Sequence, residues 1–261
     1  MTQHEKTTIR LSNALVSAEV ALHGAELISL VKNGTEYLWQ ADPEFWGRHS
    51  PVLFPMVGRV WNNILRVDGK EFSLGQHGFA RDRDFSLVEA SETHALFRLE
   101  ADEATRHDFP FDFTLEISYD LSDSGIRVGW RVINTGASEL PFQIGAHPAF
   151  NLPDFDPASD LRGYFSFDNP GELLYISPAE KGCVAPKESR KAMPLTRTEA
   201  GALMEIRRET FDCDTYIFED SQIGRIELLR RDRSPYLAVE FSAPLVALWA
   251  PTAVKPECPF I

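Results

Sequence analysis

Basic side chains are scarce in this 261-residue sequence. It has 26 Lys and Arg against 39 Asp and Glu, which gives a formal net charge of −13. A surface of that sign repels nucleic-acid phosphates and anionic lipids, and no apolar run approaches the roughly 18 residues of a membrane span. The N-terminal MTQHEKTTIRLSN also lacks the basic and apolar regions of a secretory signal. We therefore expect a cytoplasmic protein with neither nucleic acid nor a membrane as a partner.

Cysteine is also rare, since Cys183, Cys213 and Cys258 are widely spaced and form no CxxC pair. This argues against a disulfide framework and a zinc knuckle. The sequence contains no Gly-rich phosphate loop, no GxSxG nucleophile motif and no HExxH. The common nucleotide, serine-hydrolase and zinc-protease sites therefore have no support.

Helical periodicity is nearly absent, and the lack of a strand–helix–strand rhythm excludes a doubly wound sheet. Alternation of apolar and polar residues recurs instead. In FTLEISYDLSDSGIRVGWRVIN the apolar residues from Phe113 to Leu121 face one way, and the pattern repeats after the turn at SDSG. This predicts a β-hairpin with one buried face. Asn33-Gly34 and Asp68-Gly69 are dipeptides typical of further tight hairpins.

Many short antiparallel strands joined by turns predict an all-β fold, a large sandwich or barrel with few short helices. One short helix is expected in DEATRHDFPF, where Pro110 ends it. Residues 169–208 have weaker periodicity and are expected to form loops and irregular strands. Because no Gly/Ser-rich or Pro-rich linker is present, we predict a single domain over residues 1–261.

Two histidines have unusual neighbours. His77 lies among glycines in GQHGFARD, and His147 precedes Pro148 at the end of an apolar strand in QIGAHPAFN. A histidine at such a position is well placed to face a cleft. A structural histidine that donates to a carbonyl is an equal alternative for each.

An arginine and an aspartate complete the set of candidates. Arg59 follows Gly58, where the apolar run of FPMVGRVWNN breaks, and Asp214 precedes a strand in FDCDTYIF. A guanidinium there can bind hydroxyl or carboxylate oxygens, although a solvated arginine or an ion pair is commoner. Asp before a strand is usually a turn former. Polar groups at strand ends, with Trp and Phe plentiful among them, suit a sugar site.

These motifs resemble, in the same order, those of the aldose 1-epimerases, the galactose mutarotase-like family, and especially its shorter bacterial branch. The similar segments are ALHGAELISLVKNGTEYLWQ, VLFPMVGRVWNN, GQHGFARD, GAHPAFN, FDCDTYIF and LVALWAP. The resemblance implies a large antiparallel β-supersandwich that interconverts the α and β anomers of a hexose with no cofactor and no metal. We expect a monomer or a homodimer, and the sequence does not decide between them. The resemblance also implies that His147 is the general acid, that His77 assists, and that Arg59 and Asp214 bind sugar hydroxyls.

Ring opening also needs a base for the C1 hydroxyl. In the family this base is a glutamate in a C-terminal motif that resembles Pro-Phe, a variable residue, then Cys-Ile-Glu-Pro-Trp. ECPFI matches the start of this motif, so we expect the glutamate about three residues beyond Ile261. Glu240 and Glu257 do not match the motif, and the alternation around Glu240 predicts a solvent-facing strand residue.

Two other functions fit the same residues. One is a carbohydrate-binding or regulatory protein on this scaffold that lacks the base. The other is a two-histidine, one-carboxylate metal site made of His77, His147 and Asp214. The net charge disfavours a phosphorylated hexose, but Arg81 and Arg83 follow His77 closely and could form a local basic pocket.

Overall fold

The computed structural model describes residues 8–179, 183–184, 187–198 and 201–261. The chain divides into two compact units, Met1–Ala149 and Phe150–Ile261. The single domain predicted over residues 1–261 stays a prediction. No helix in the described ranges is long and apolar enough to cross a membrane.

Antiparallel strands build the first unit. They are β1 (Thr8–Ser12), β2 (Val16–Ala21), β3 (Leu27–Lys32), β4 (Thr35–Glu36), β5 (Val52–Leu53), β6 (Ile64–Val67), β7 (Lys70–Ser73), β8 (Ser86–Ala90), β9 (His94–Glu100), β10 (Phe113–Leu121), β11 (Ile126–Asn134) and β12 (Gly145–Ala146). Two four-stranded sheets have the orders β1-β2-β3-β4 and β11-β10-β9-β8, and β12-β5 and β6-β7 form separate pairs.

The tight turns lie where the sequence predicts them. Asn33-Gly34 joins β3 to β4, and Asp68-Gly69 joins β6 to β7. All four residues have positive φ, from 49° at Asp68 to 79° at Gly34. Two-residue hairpin turns need this left-handed backbone, which Gly, Asn and Asp adopt at the lowest cost.

The predicted hairpin is also present, since β10 and β11 pair along their whole length. The apolar face of β10 is buried, with Leu115 and Ile117 fully inaccessible. The return strand differs from the prediction, because Val128 and Trp130 on this face are 36% and 37% exposed. The reason is that β11 is an edge of its sheet, so a neighbouring strand flanks it on one side only.

The expected short helix is α1 (Glu103–Asp108), preceded by Asp102 as its N-cap. A carboxylate oxygen of Asp102 accepts from the N–H of Thr105 at 2.7 Å, and the Thr105 hydroxyl accepts from the N–H of Asp102 at 2.9 Å. This reciprocal capping satisfies two backbone donors that the helix itself leaves unpaired.

The second unit is also built from antiparallel strands. They are β13 (Leu161–Phe167), β14 (Leu174–Tyr175), β15 (Lys191–Ala192), β16 (Thr196–Thr198), β17 (Gly201–Arg207), β18 (Thr215–Phe218), β19 (Arg225–Leu229), β20 (Pro235–Glu240) and β21 (Val246–Trp249). Five of them form a sheet in the order β16-β17-β13-β19-β20, around a core that contains Phe165, Phe167, Phe211 and Phe218. With its antiparallel pairing, this unit confirms, like the first, the predicted all-β class.

One stretch of the second unit differs from the prediction. Residues 169–208 were expected to form loops and irregular strands, but β17 is an inner strand of the five-stranded sheet. Its alternate residues Ala202, Met204 and Ile206 are at most 6% exposed, so this short stretch of period-2 alternation forms a buried strand despite its polar neighbours. Residues 180–182, 185–186 and 199–200 of this stretch lie outside the described ranges.

Candidate functional site

Three of the four predicted site residues, His77, His147 and Arg59, lie in the first unit. His147 continues the ladder that β12 makes with β5, because its N–H donates to the Pro51 carbonyl at 3.0 Å. The ring centroids of His77 and His147 are 5.9 Å apart, with their planes at 76°. Both side chains are half-buried. The fold thus brings two histidines that are distant in sequence into one pair.

A close backbone approach positions His77. The residue itself has a φ of 65°, and Gly78 has a φ of 68°. A Cβ atom on Gly78 would lie 2.2 Å from the Phe54 carbonyl oxygen, and that oxygen accepts from the N–H groups of Phe79 and Ala80 at 3.0 and 3.2 Å. Only glycine fits here, because a side chain would force the histidine loop away from the backbone beside β5.

Arginines lie close to this pair. An Arg59 Nη donates to the side-chain oxygen of Gln76 at 2.7 Å, and an Arg81 Nη donates to the main-chain oxygen of the same residue at 2.8 Å. An Arg48 Nη donates to one Asp82 carboxylate oxygen at 2.8 Å, while the Arg81 Nε lies 3.6 Å from the other. Gln76, directly before His77, therefore links two guanidinium groups to the histidine loop.

The surroundings favour the neutral form of both histidines. Burial is the largest cause that lowers the pKa of His77 to about 4, and the charges of His147, Arg81, Arg59 and Arg48 act in the same direction. Burial also lowers the pKa of His147, and Arg81 adds to this effect, while a backbone hydrogen bond opposes it. Near neutral pH the neutral form of each ring therefore predominates.

Trp46 is a neighbour that sequence reasoning missed. Its ring centroid lies 5.0 Å from that of His147, with the planes at 37°. Its carbonyl accepts from the indole N–H of Trp39 at 2.7 Å. In the sequence the PEFWG segment indicated only one helical turn, and the structure has a hydrogen-bonded turn there instead. The signal available in PEFWG was a pair of aromatic residues next to Pro and Gly, which favour turns. The roles of Gln76 and Arg48 left no signal in the sequence.

Asp214, the fourth predicted residue, lies in the second unit. It is exposed and has a φ of 76°. Its N–H donates to the Phe211 carbonyl at 2.9 Å, and a carboxylate oxygen accepts from the Thr215 hydroxyl at 2.8 Å. These contacts are typical of a turn residue. Its binding role stays a prediction.

Two further observations concern the alternatives. Glu240 has a side chain that is 75% exposed and accepts from the Arg225 Nε at 3.1 Å, which confirms the predicted solvent-facing position. Glu257 is exposed as well. Within the described ranges, no three His, Cys, Asp or Glu side chains form a group that could hold a metal ion, so the metal-site alternative has no ligand cluster there.

Comparison with protein families identifies the chain. The model of the aldose 1-epimerase family matches residues 7–163, more than half of the sequence. The chain belongs to the aldose 1-epimerase family. Within this family it is similar to the chromosomal LacX protein of Lactococcus lactis, with 37% identity over 153 residues, which are 56% of this chain and 51% of LacX. The chain thus spans about half the length of the curated relatives it matches.

Solved structures are similar over more of this epimerase-family chain. A galactose mutarotase related enzyme from Lactobacillus acidophilus is 30% identical, with a TM-score of 0.85 over 93% of this chain and 80% of the other. A galactose mutarotase-like protein from Lactobacillus casei is 29% identical, with a TM-score of 0.85 over 97% and 85% of the two chains. These similarities confirm the predicted galactose mutarotase-like fold class.

Proposed function

We propose that this member of the aldose 1-epimerase family interconverts the α and β anomers of a hexose by opening and closing the sugar ring. His147 acts as the general acid at the ring oxygen, His77 assists it, and Arg59 and Asp214 hold sugar hydroxyls. The observation that carries the proposal is the 5.9 Å pair of half-buried imidazoles beside Trp46. Sugar sites combine such polar groups with an aromatic surface. A cytoplasmic location and a monomeric or homodimeric state remain part of the proposal.

The reaction requires two proton transfers. A base takes the proton of the C1 hydroxyl while an acid protonates the ring oxygen, and the free aldehyde then rotates about C1–C2 and closes from its other face. An acid must carry a proton to give, and burial together with the nearby guanidinium groups disfavours protonation of both histidines. A carboxylate base beside them would raise their pKa values. The base therefore also favours the protonated form of the histidine that acts as the acid.

The segment that begins the family motif is held by backbone pairing within the second unit. Ile261 and Phe150 exchange two backbone hydrogen bonds, of 2.7 and 2.9 Å, and Phe260 lies opposite Asn151 in an antiparallel bridge. In the family motif the glutamate is the third residue after the position that Ile261 matches. A glutamate joined to the chain at that spacing is therefore the base that the proposal requires.

A gain of activity tests the proposal. One variant carries Cys-Ile-Glu-Pro-Trp joined to Ile261, and its matched control carries Cys-Ile-Gln-Pro-Trp. Polarimetry of freshly dissolved α-glucose and α-galactose follows the approach to anomeric equilibrium. We expect the glutamate variant to accelerate it, with at least a hundredfold loss in the glutamine control and on His147→Asn. An extended protein that binds these sugars but matches buffer in rate contradicts the proposal.

A carbohydrate-binding or regulatory protein without epimerase activity is the second candidate. It is favoured by the ion pair of Glu240 with Arg225, because this carboxylate is exposed and already paired with a guanidinium. Calorimetry on the 261-residue chain would then show sugar binding, and polarimetry would show no rate in any extended variant.

A further inference from the structure

Three guanidinium groups act on the histidine pair. The charges of Arg81, Arg59 and Arg48 all disfavour protonation of His77, so all three lie close enough for their fields to reach it. Gln76 ties Arg59 and Arg81 to the loop that carries His77. Each arginine reaches the site from a different segment of the first unit.

Carboxylates offset this charge only in part. Asp82 faces both Arg48 and Arg81, and its side chain is 52% exposed. One Glu26 oxygen is occupied by the backbone N–H groups of His49 and Ser50, at 2.9 and 2.8 Å. Among the charged groups named here, three arginines thus stand beside two carboxylates, next to two histidines whose protonation is disfavoured. The local balance is positive in a chain whose net charge is −13.

Arg81 contributes an unsatisfied donor. Its side chain is 19% exposed, and its Nε is buried without a hydrogen-bond partner among the described residues. A buried donor left without an acceptor costs free energy. An anionic oxygen at the exposed part of this guanidinium would form a charge-assisted hydrogen bond, stronger than one to a neutral hydroxyl.

We propose that the site takes an aldose that carries an anionic group, a phosphate ester or a carboxylate, and that Arg81 holds this group together with Arg48. The inference rests on the proposed function, because the same histidine pair acts on the sugar ring. It reverses the expectation from net charge. Surface charges more than about 8 Å away are largely screened at physiological salt, whereas guanidinium groups act on the ligand at contact.

Arg83 provides a matched control. Like Arg81 it follows His77 closely in the sequence, but its guanidinium carbon lies 5.8 Å from the centre of the Phe79 ring. Its charge is not among the largest causes that lower the pKa of His77. Replacing it removes one positive charge from the same loop without removing a group from the proposed anion site.

Calorimetry on the 261-residue chain tests the inference with galactose, galactose 6-phosphate and galacturonate, and with the corresponding glucose compounds. We expect an anionic sugar to bind about tenfold more tightly than its neutral parent at low salt, with a smaller ratio at about 0.15 M salt. Arg81→Gln and Arg48→Gln should each bring the ratio towards one, Arg81→Lys should restore part of it, and Arg83→Gln should leave it unchanged. Phosphate and carboxylate compounds show which anion the site prefers.

Several outcomes would overturn the inference. The inference is overturned if a neutral sugar binds as tightly as both of its anionic derivatives. This result would leave the proposed function standing. The same holds if Arg81→Gln weakens all sugars equally in a protein whose unfolding midpoint is unchanged, since that result assigns Arg81 to hydroxyls. If no sugar of either kind binds, both the inference and the proposed function fail.

Discussion

Gly58 fixes which ring nitrogen of His77 carries the proton. The Gly58 N–H donates to Nδ1 of His77 at 3.0 Å, and the His77 N–H donates in return to the Gly58 carbonyl at 2.8 Å. A peptide N–H is always the donor, so Nδ1 accepts and the neutral ring is protonated at Nε2. The side-chain nitrogen of Gln76, 3.3 Å from Nε2, is itself a donor and cannot accept that hydrogen. His77 thus presents an N–H donor at Nε2.

His77 should make the protein less stable as the pH falls. Its pKa is about 4 in the folded protein and has an ordinary value of 6.5. Between these values the unfolded chain binds more protons, so the free energy of unfolding decreases as pH falls from 6.5 to 4, by at most on the order of 3 kcal/mol. Urea unfolding across this window should show a shallower pH dependence in His77→Asn, since Asn tolerates the positive φ. Equal slopes in the two proteins would contradict this assignment.

Trp46 should control the titration of His147. Burial is the largest cause of the low pKa of His147, and the indole packs against its ring. Trp46→Ala admits water, so the pKa of His147 should rise towards its ordinary value, while Trp46→Phe keeps an apolar cover and should change it less. NMR titration of the histidine ring measures both. The same pKa in the Ala and Phe variants would show that other groups desolvate His147.

Local patterns in the sequence predict what depends on neighbours along the chain. The Asn33-Gly34 turn, α1 with its Asp102 cap and the β10–β11 pairing each follow from residue types within a few positions. The motif order also identified His77 and His147, which the fold then brings together.

Contacts between distant segments have no such signature. Trp46 packs on His147 across about a hundred residues of chain, and Arg48 meets Arg81 through Asp82. The net charge of −13 disfavours an anionic ligand, but a sum over the whole surface carries no information about which charges fold together. The inner position of β17 was not predicted for a related reason, since its neighbours in the sheet decide whether a short alternating segment is buried.

Gly78→Ala should be far more destabilising than the same change in an open turn. The new Cβ would lie 2.2 Å from a backbone oxygen, at a φ of 68°, and backbone atoms cannot move aside as a flexible side chain can. We expect a loss of at least about 3 kcal/mol in the free energy of unfolding. Gly34 has a φ of 79°, and a Cβ atom there would have no atom within 4 Å. Gly34→Ala should therefore lower the free energy of unfolding by only about 1 kcal/mol, the cost of the left-handed backbone. Urea unfolding measures the free energy of unfolding of both variants. Similar losses in the two would contradict the close approach of Gly78 to the Phe54 carbonyl.

Arg162 should hold the chain end in register. It is 4% exposed, it donates to the carbonyls of Cys258 and Pro256 at 3.1 and 2.7 Å, and its guanidinium carbon lies 4.7 Å from the centre of the Phe155 ring. Arg162→Met would leave two carbonyls without their donor, so we expect a loss of about 3 kcal/mol. Arg162→Lys should recover part of this loss. Arg208→Ala removes an exposed arginine that donates to the Pro157 carbonyl and should cost at most about 0.5 kcal/mol.

Hydrogen exchange separates a register effect of Arg162 from a general loss of stability. The backbone N–H groups of Phe150 and Ile261 bond to each other's carbonyls, and they report directly on the terminal ladder. In Arg162→Met we expect both to exchange faster relative to the amides of β13 and β19, because the loop that leads into Pro259 is no longer tied down. A uniform acceleration throughout the second unit would instead assign Arg162 to the core alone.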